Sequence, residues 1–435
     1  MSMVERSTNN WQKFTDDSMI GMIRCLYNYL KKHYCNFLLW STYFLFRKGK
    51  EKSIRKKKTI TVLFVLAELG SWKTKLLYEA MLKHPRFKPI LGVTEAADNP
   101  SGKNLLTNFL EEHNYSFIDL DTKQKGTKIS PDIIFYQKPY DFAYRNPAVR
   151  IYKHLNSLFC FVNYGLHVVQ TFWSTNQMLY KCLWQQYFEN QLAANPNRMA
   201  MLPDGGKQVV ITGLPVQDQL LFPKEQYIDP WKSQEKPKKR IIYAPHHTIA
   251  NIHIKGFAIS SFLENGEFML DMMHKYADKV QWAFKPHPLL YKKLVAFWGK
   301  EKTDHYYNEW KNAENAQLEN GEYDALFKYS DAMIHDCSSF TIEYHYTHNP
   351  VMYLIRKKNA ENEMSPFGQK AFDLHYKGCT KEDIEKFIQN VIKGIDPMRN
   401  EREKFYNDYL LPPHGKTACE NIINSILGEE EYKRK

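Results

Sequence analysis

Ser330-Asp331-Ala332-Met333-Ile334-His335-Asp336-Cys337-Ser338-Ser339-Phe340-Thr341-Ile342-Glu343 is the stretch on which the fold turns. Its apolar run Ala332–Ile334 has the length of a buried strand, and His335-Asp336 end it. Ser338-Ser339 then open a helix that carries Glu343 one turn further on. Strand, polar turn and helix in that order make half of a parallel α/β unit. Helix-opening backbone N–H groups flanked by two hydroxyls suit a phosphate, whereas simple N-capping by Asp336 or Ser338 would use only one such residue.

The same grammar recurs on both sides. Lys239–Pro245 and Val280–Lys285 precede this stretch as strands and Val351–Leu354 follows it. Upstream, Thr59–Ala67, Phe87–Val93, Pro131–Phe135, Cys160–Val162 and Val209–Ile211 form an earlier series, with a helix through Leu76, Leu77, Ala80 and Met81. Residues 222–240, rich in Pro, Lys, Glu and Gln, read as the linker between two halves. The tail from Arg399 reads as helical, interrupted at Tyr409–Pro413. Two such halves leave a cleft facing the carboxyl ends of both sheets, where open parallel sheets bind ligands. Domains are expected over 59–221 and 222–398, with C-terminal helices over 399–435 and a separate segment over 1–58.

The 435 residues carry a net charge of +12, which would suggest nucleic acid if it were spread over the chain. Residues 1–58 hold 13 basic and 4 acidic residues, so the remaining 377 carry only +3, which argues against a general nucleic-acid surface, and no nucleic-acid partner is expected. Within the segment, Met19, Ile20, Ile23, Leu26, Tyr27, Leu30, Tyr34, Phe37 and Leu38 follow helical spacing. The ten-residue apolar run Phe37–Phe46 falls short of the roughly 20 needed to span a bilayer. Arg47, Lys48, Lys50, Lys52, Arg55, Lys56, Lys57 and Lys58 come next. An aromatic amphipathic helix followed by basic charge suits an anchor on an anionic membrane; a helix packed on the protein's own body is the alternative. The seven cysteines form no CxxC pair, which favours a reduced compartment over a disulfide or zinc framework.

No GxGxxG, GxxxxGK[ST] or HExxH occurs, so dinucleotide, P-loop and zincin chemistries lose their sequence support. Glu343, His345 and His348 diverge around a helix, and no metal site is expected. The candidates stand at strand ends: Lys285-Pro286-His287-Pro288, a histidine held between prolines; Tyr243-Ala244-Pro245-His246-His247; and Asn163-Tyr164-Gly165-Leu166-His167.

Taken together, over residues 59–425, the chain resembles the CDP-glycerol glycerophosphotransferase family, which primes and extends teichoic-acid-type polymers. The resemblance rests on Tyr243-Ala244-Pro245, Lys285–Pro288, Ser330-Asp331 with Asp336–Ser339, and Phe405–Asp408 with His414–Lys416. It implies a GT-B fold of two Rossmann-like domains facing a cleft, C-terminal helices that cross back, and peripheral attachment at the cytoplasmic face of the membrane. It implies CDP-glycerol as donor, a lipid-linked or glycan acceptor, and no required cofactor, Mg2+ being admissible. By position, His167 is the base and His287 the second catalytic residue. Tyr243, Pro245, His246, Lys285, Asp336, Ser338, Ser339 and Glu343 would bind the donor, and Gly70, Ser71 and Gly165 the acceptor. The family's Trp-His-Gly-Thr-Pro-like loop is replaced around His167, its Asp-Tyr-Ser-Ser is Asp336–Ser339, and its common Arg or Thr after Tyr-Ala-Pro is His246-His247. A nucleotide-sugar transferase of the same fold, using for example CMP-sialic acid, is the alternative.

Overall fold

A computed structural model describes residues 41, 43–122, 129–138, 140, 143–169, 178–195, 205–249, 260–356, 364–429 and 432. It divides into two compact units. The first comprises residues 1–69, 86–160 and 173–184; the second comprises 70–85, 161–172 and 185–435.

In the first unit, β1 (Ile60–Leu66) lies between β2 (Phe87–Val93) and β4 (Ile133–Tyr136), and β3 (Phe117–Asp119) flanks β2. All these pairings are parallel. β5 (Leu158–Phe161) follows β4 in the strand order. Burial on both faces explains the unbroken apolar runs of β1, β4 and β5, as expected where helices cover a parallel sheet.

Residues 43–56 are helical and use one face on this unit. Tyr43, Arg47 and Ile54 are buried, Tyr43 stacks on Phe159 at 4.9 Å, and Arg47 donates to the Leu183 carbonyl at 3.2 Å. Lys50 and Lys57 both reach the buried Asp132 carboxylate, at 3.1 and 2.7 Å. This corrects the expected anchor. Part of its polybasic run neutralises an acid beneath the first strand, because Asp132 also caps the Thr61 N–H and needs countercharge. The amphipathic helix read over Met19–Leu38 lies outside the described residues. Among those described, no helix is long and apolar enough to cross a membrane.

β6 (Leu183–Phe188), whose residues from Gln185 on belong to the second unit, pairs in parallel with β7 (Val209–Ile211) through Gln186–Phe188. Six further strands of the second unit form a parallel sheet: β8 (Lys239–Ala244), β9 (Val280–Phe284), β10 (Ala316–Leu318), β11 (Ala332–His335), β12 (Val351–Leu354) and β13 (Tyr376–Gly378). Their order is β10-β9-β8-β11-β12-β13. The aromatic core over this sheet joins Tyr243, Trp282, Phe284, Tyr306 and Trp310. Residues 222–238 are docked, since Trp231 is buried and Lys232 donates to the Ala316 carbonyl at 2.6 Å. The C-terminal helix Ala418–Leu427 lies against helices Lys75–Lys83 and Pro215–Leu220. Its first N–H groups are capped by Asp218, at 2.7 Å from Ala418 and 2.9 Å from Cys419.

Candidate active site

Strand order decides which loops meet. β8 has β9 on one side and β11 on the other, in the registers Tyr243↔Phe284 and Tyr243↔Ile334. Parallel pairing puts all three carboxyl ends at one edge, so Pro245-His246, Lys285-Pro286-His287 and Asp336-Cys337 become neighbours. Two backbone bonds tighten that edge: Lys285 N–H to the Tyr243 carbonyl at 2.8 Å and His287 N–H to the Pro245 carbonyl at 3.0 Å.

Asp336 is fully buried. Its carboxylate accepts from the His246 N–H at 2.6 Å and the Ser261 N–H at 2.7 Å, which fixes the loop after β8 to the start of helix Phe262–Lys275. Burial raises its pKa to about 6 against these bonds. Tyr243 and Pro245 are also buried, Tyr243 packing on Phe284 and Trp310. Their side chains hold the platform beneath the polar groups.

Above it, the imidazoles of His246, His247 and His287 offer ring nitrogens that all lie within 4.8 Å of one another. Among the described residues no other His, Cys, Asp or Glu group comes so close; Glu343, His345 and His348 do not. Burial pushes His246 down to about 3 and His247 and His287 to about 4, with Lys293 adding cationic pressure on each. All three are therefore neutral at pH 7. Their Nδ1 atoms are engaged: His287 accepts from the Leu289 N–H at 3.1 Å, His247 meets Lys293 Nζ at 2.8 Å, and His246 meets Thr248 Oγ1 at 2.9 Å.

The helix expected after Ser338-Ser339 is short, Phe340–Glu343 running straight into a 3-10 turn over Tyr344–Thr347. Ser339 stands at its N-cap without making a side-chain cap bond, so capping does not account for the hydroxyl. Lys285 is buried, donates to the Gly321 carbonyl at 2.6 Å, and lies 5.8 Å from the centre of the Tyr323 ring. Lys73 lies at 5.8 Å from the same ring. Glu343 is buried behind it, with Oε2 unpartnered among the described residues. Burial pushes Glu343 up to about 7, opposed by the Lys73 charge and the Tyr323 hydroxyl. A buried carboxylate with a spare oxygen and a pKa near neutrality can accept a hydroxyl's hydrogen bond or a proton.

His167 is held from three directions. Its N–H donates to Glu189 Oε1 at 2.7 Å, its Nδ1 faces Glu189 Oε2 at 2.8 Å, and its carbonyl accepts from Ser365 Oγ. The ring stacks on Phe188 at 4.5 Å. Glu189 follows β6 directly and is 1% exposed, so its carboxylate is committed to this one residue. In the neutral ring a carboxylate on Nδ1 requires that nitrogen to carry the proton and leaves Nε2 with its lone pair, the arrangement of an oriented general base. Ser365 also caps helix Pro366–Asp373, and Val169 bridges Met364. At Gly368 a Cβ would stand 2.2 Å from the Val168 carbonyl, so only glycine admits this close approach. Gly165 accepts from Asn163 Nδ2 at 2.7 Å and turns the loop toward His167. Gly70 and Ser71 sit in the turn before helix Lys75–Lys83, Gly70 exposed.

All these candidates belong to the second unit, and pairwise electrostatics link them. His287 feels Lys285, Lys285 and Glu343 both bear on Cys337, and Glu343 and Glu189 both bear on Tyr346. Glu189, Lys73, Tyr323 and Lys293 were not among the residues singled out from the sequence, and His247 stood in the Tyr243–His247 stretch without a role of its own. None of them carried a local signal: Glu189 follows a strand whose centre, Gln185-Gln186, is polar.

Residues 200–377 match the family described as CDP-Glycerol:Poly(glycerophosphate) glycerophosphotransferase. No curated protein sequence matches. Among solved structures, the wall teichoic acid polymerase TagF is similar at TM-score 0.54 and 16% identity, covering 92% of this chain and 96% of that one. The UDP-GlcNAc 2-epimerase of Neisseria meningitidis is similar at TM-score 0.53 and 14% identity, covering 85% and 99%. At such identities the structural likenesses speak for the fold. The family match over residues 200–377 supports a transferase of the CDP-glycerol glycerophosphotransferase type, and the structural likenesses support its fold. The resemblance read from the motifs holds over residues 200–377, which carry the β8, β9 and β11 loops.

Proposed function

We propose that the protein transfers glycerol phosphate from CDP-glycerol to a hydroxyl of a lipid-linked or glycan acceptor, releasing CMP, in the synthesis of a teichoic-acid-like wall polymer. The observation that carries this reading is the family match over residues 200–377, the segment that brings His246, Lys285, His287 and Glu343 together.

The acceptor oxygen attacks the β-phosphorus and gives its proton to Nε2 of His167. The new P–O bond forms as the bond from that phosphorus to the CMP oxygen breaks, and CMP departs with the electron pair. Glu189 keeps Nδ1 protonated before and after transfer and stabilises the imidazolium. His287, His246 and Lys285 face the charge that develops on the leaving phosphate, and Glu343 takes the ribose hydroxyls. Ser338 and Ser339 offer hydroxyls to the same donor. Gly70, Ser71 and Gly165 border the acceptor. The reaction as written needs no metal. We place the protein at the cytoplasmic face of the membrane, where a lipid-linked acceptor would be presented.

Incubation of the purified chain with CDP-glycerol and a lipid-linked disaccharide tests this. CMP release with a glycerol-phosphate mass increment on the acceptor is expected. Absence of CMP, with a thermal shift on a nucleotide sugar instead, would replace the reaction by glycosyl transfer on the same fold.

A further inference from the structure

We infer that Lys293 and His247 complete, with His246 and His287, an anion clamp that holds the donor's diphosphate. In it Lys293 is a positioning residue that sets the direction of the His247 hydrogen bond. This rests on the donor reading above.

The argument begins with protons. A neutral imidazole carries one N–H, and the partner of one nitrogen dictates the role of the other. The Leu289 N–H can only donate, so His287 Nδ1 accepts at 3.1 Å and its proton sits on Nε2. An ammonium likewise only donates, so the 2.8 Å contact with Lys293 leaves the proton of His247 on Nε2 as well. Each of these two rings thus offers an N–H at Nε2, and the three histidines sit close enough that one ring nitrogen of each lies within 4.8 Å of the others. A metal ion would need the reverse, lone pairs on these atoms, and would have to sit beside an ammonium. An anion needs N–H donors and positive charge, and both are present.

The charge balance points the same way. Lys293 lies on helix Leu290–Trp298 and makes no ion pair with a carboxylate among the described residues. The charges that weigh on the three rings are cationic: Lys293 on all three, Lys285 on His287, and the rings on one another. Asp336, the nearest acid in the loop, is spent on the backbone N–H groups of His246 and Ser261. Burial lowers the pKa of Lys293 and, together with the Lys293 charge, of all three histidines, which is the cost of holding a partly buried cation beside these rings without a counterion. A diphosphate would relieve it. Its two phosphates are what distinguish CDP from CMP, so the clamp should discriminate between those two nucleotides.

Calorimetric titration of CDP, CMP and inorganic pyrophosphate into the full chain tests this, with the K293M, K293R and H247F variants. Methionine keeps the length and helix preference of lysine; a melting curve matching wild type identifies a folded variant, and K293R provides the second reading. K293M and H247F are expected to weaken CDP and pyrophosphate by about ten- to hundredfold and CMP by less than about threefold, and K293R is expected to recover most of the loss. Wild-type CDP and pyrophosphate affinity in K293M would overturn the clamp while leaving the donor reading intact. Pyrophosphate bound through Lys293 with no affinity for CDP would keep the clamp and overturn the donor. Tight Zn2+ uptake undisturbed by pyrophosphate would overturn the clamp in favour of a metal site.

Discussion

At the end of β6 a carboxylate faces Nδ1 of a histidine; at the ends of β8 and β9 the same atom of other histidines faces an ammonium and an amide N–H. The side chain is identical and the consequence is opposite. His167 presents a lone pair at Nε2 and can take a proton, while His247 and His287 present N–H groups and can hold an anion. What differs is one partner at 2.8–3.1 Å, supplied in each case by a residue outside the histidine's own motif or two places along it. One imidazole is thus made a base and two are made donors without any change in residue type.

Breaking the base should have the largest effect. His167→Gln is expected to reduce CMP release by about 10³–10⁴-fold, the upper part of the roughly 10²–10⁴-fold range of a lost general base, measured in single turnover with saturating CDP-glycerol. Glu189→Gln should follow at about 10²–10³-fold. An amide offers one acceptor oxygen where the carboxylate serves two donors, so its NH2 confronts either the His167 N–H or Nδ1, and the second case turns the tautomer around. Donor affinity should stay within about twofold of wild type in that variant, because among the described residues the hydrogen bonds of Glu189 go to His167. On the donor side, His287→Ala should weaken CDP by about ten- to hundredfold in calorimetry.

The smallest effect sharpens the contrast by pH. Glu343 is a carboxyl whose folded pKa, about 7, exceeds its unfolded one. It favours the fold most below the unfolded value, and that contribution is lost as pH rises through about 7. Glu343→Gln removes the penalty, so the variant should melt higher than wild type at pH 9 and the difference should shrink by pH 5.5. A constant difference across that range would deny the carboxyl its buried, unpartnered state.

Much of this was legible in the sequence because parallel strands in βα order bring their ends to one edge. Lys239–Ala244, Val280–Phe284 and Ala332–His335 could be read as apolar runs, and the loops behind them had to be neighbours if one sheet held all three. β6 was not legible. Its centre, Gln185-Gln186, is polar yet buried, and Gln185 is satisfied by Ser425 of the C-terminal helix, at 3.1 Å through Oγ and 3.2 Å through the carbonyl. A partner 240 residues away cannot be seen in local pattern, and missing the strand meant missing Glu189 at its end. Lys293 looked like any surface lysine on an amphipathic helix. The basic run after Phe46 looked like a membrane signal, while Asp132, which claims two of its lysines, lies some 75 residues on. Residues 222–238 had a linker's composition and are nonetheless tied down through Trp231 and Lys232.

One paired measurement tests the central division most directly: CDP affinity by calorimetry and the single-turnover rate of CMP release, both on H167Q and H287Q. The account predicts that H167Q keeps wild-type CDP affinity and loses the rate, whereas H287Q loses CDP affinity. A loss of CDP affinity in H167Q, or wild-type CDP affinity in H287Q, would contradict the assignment of base and anion holder to opposite tautomers.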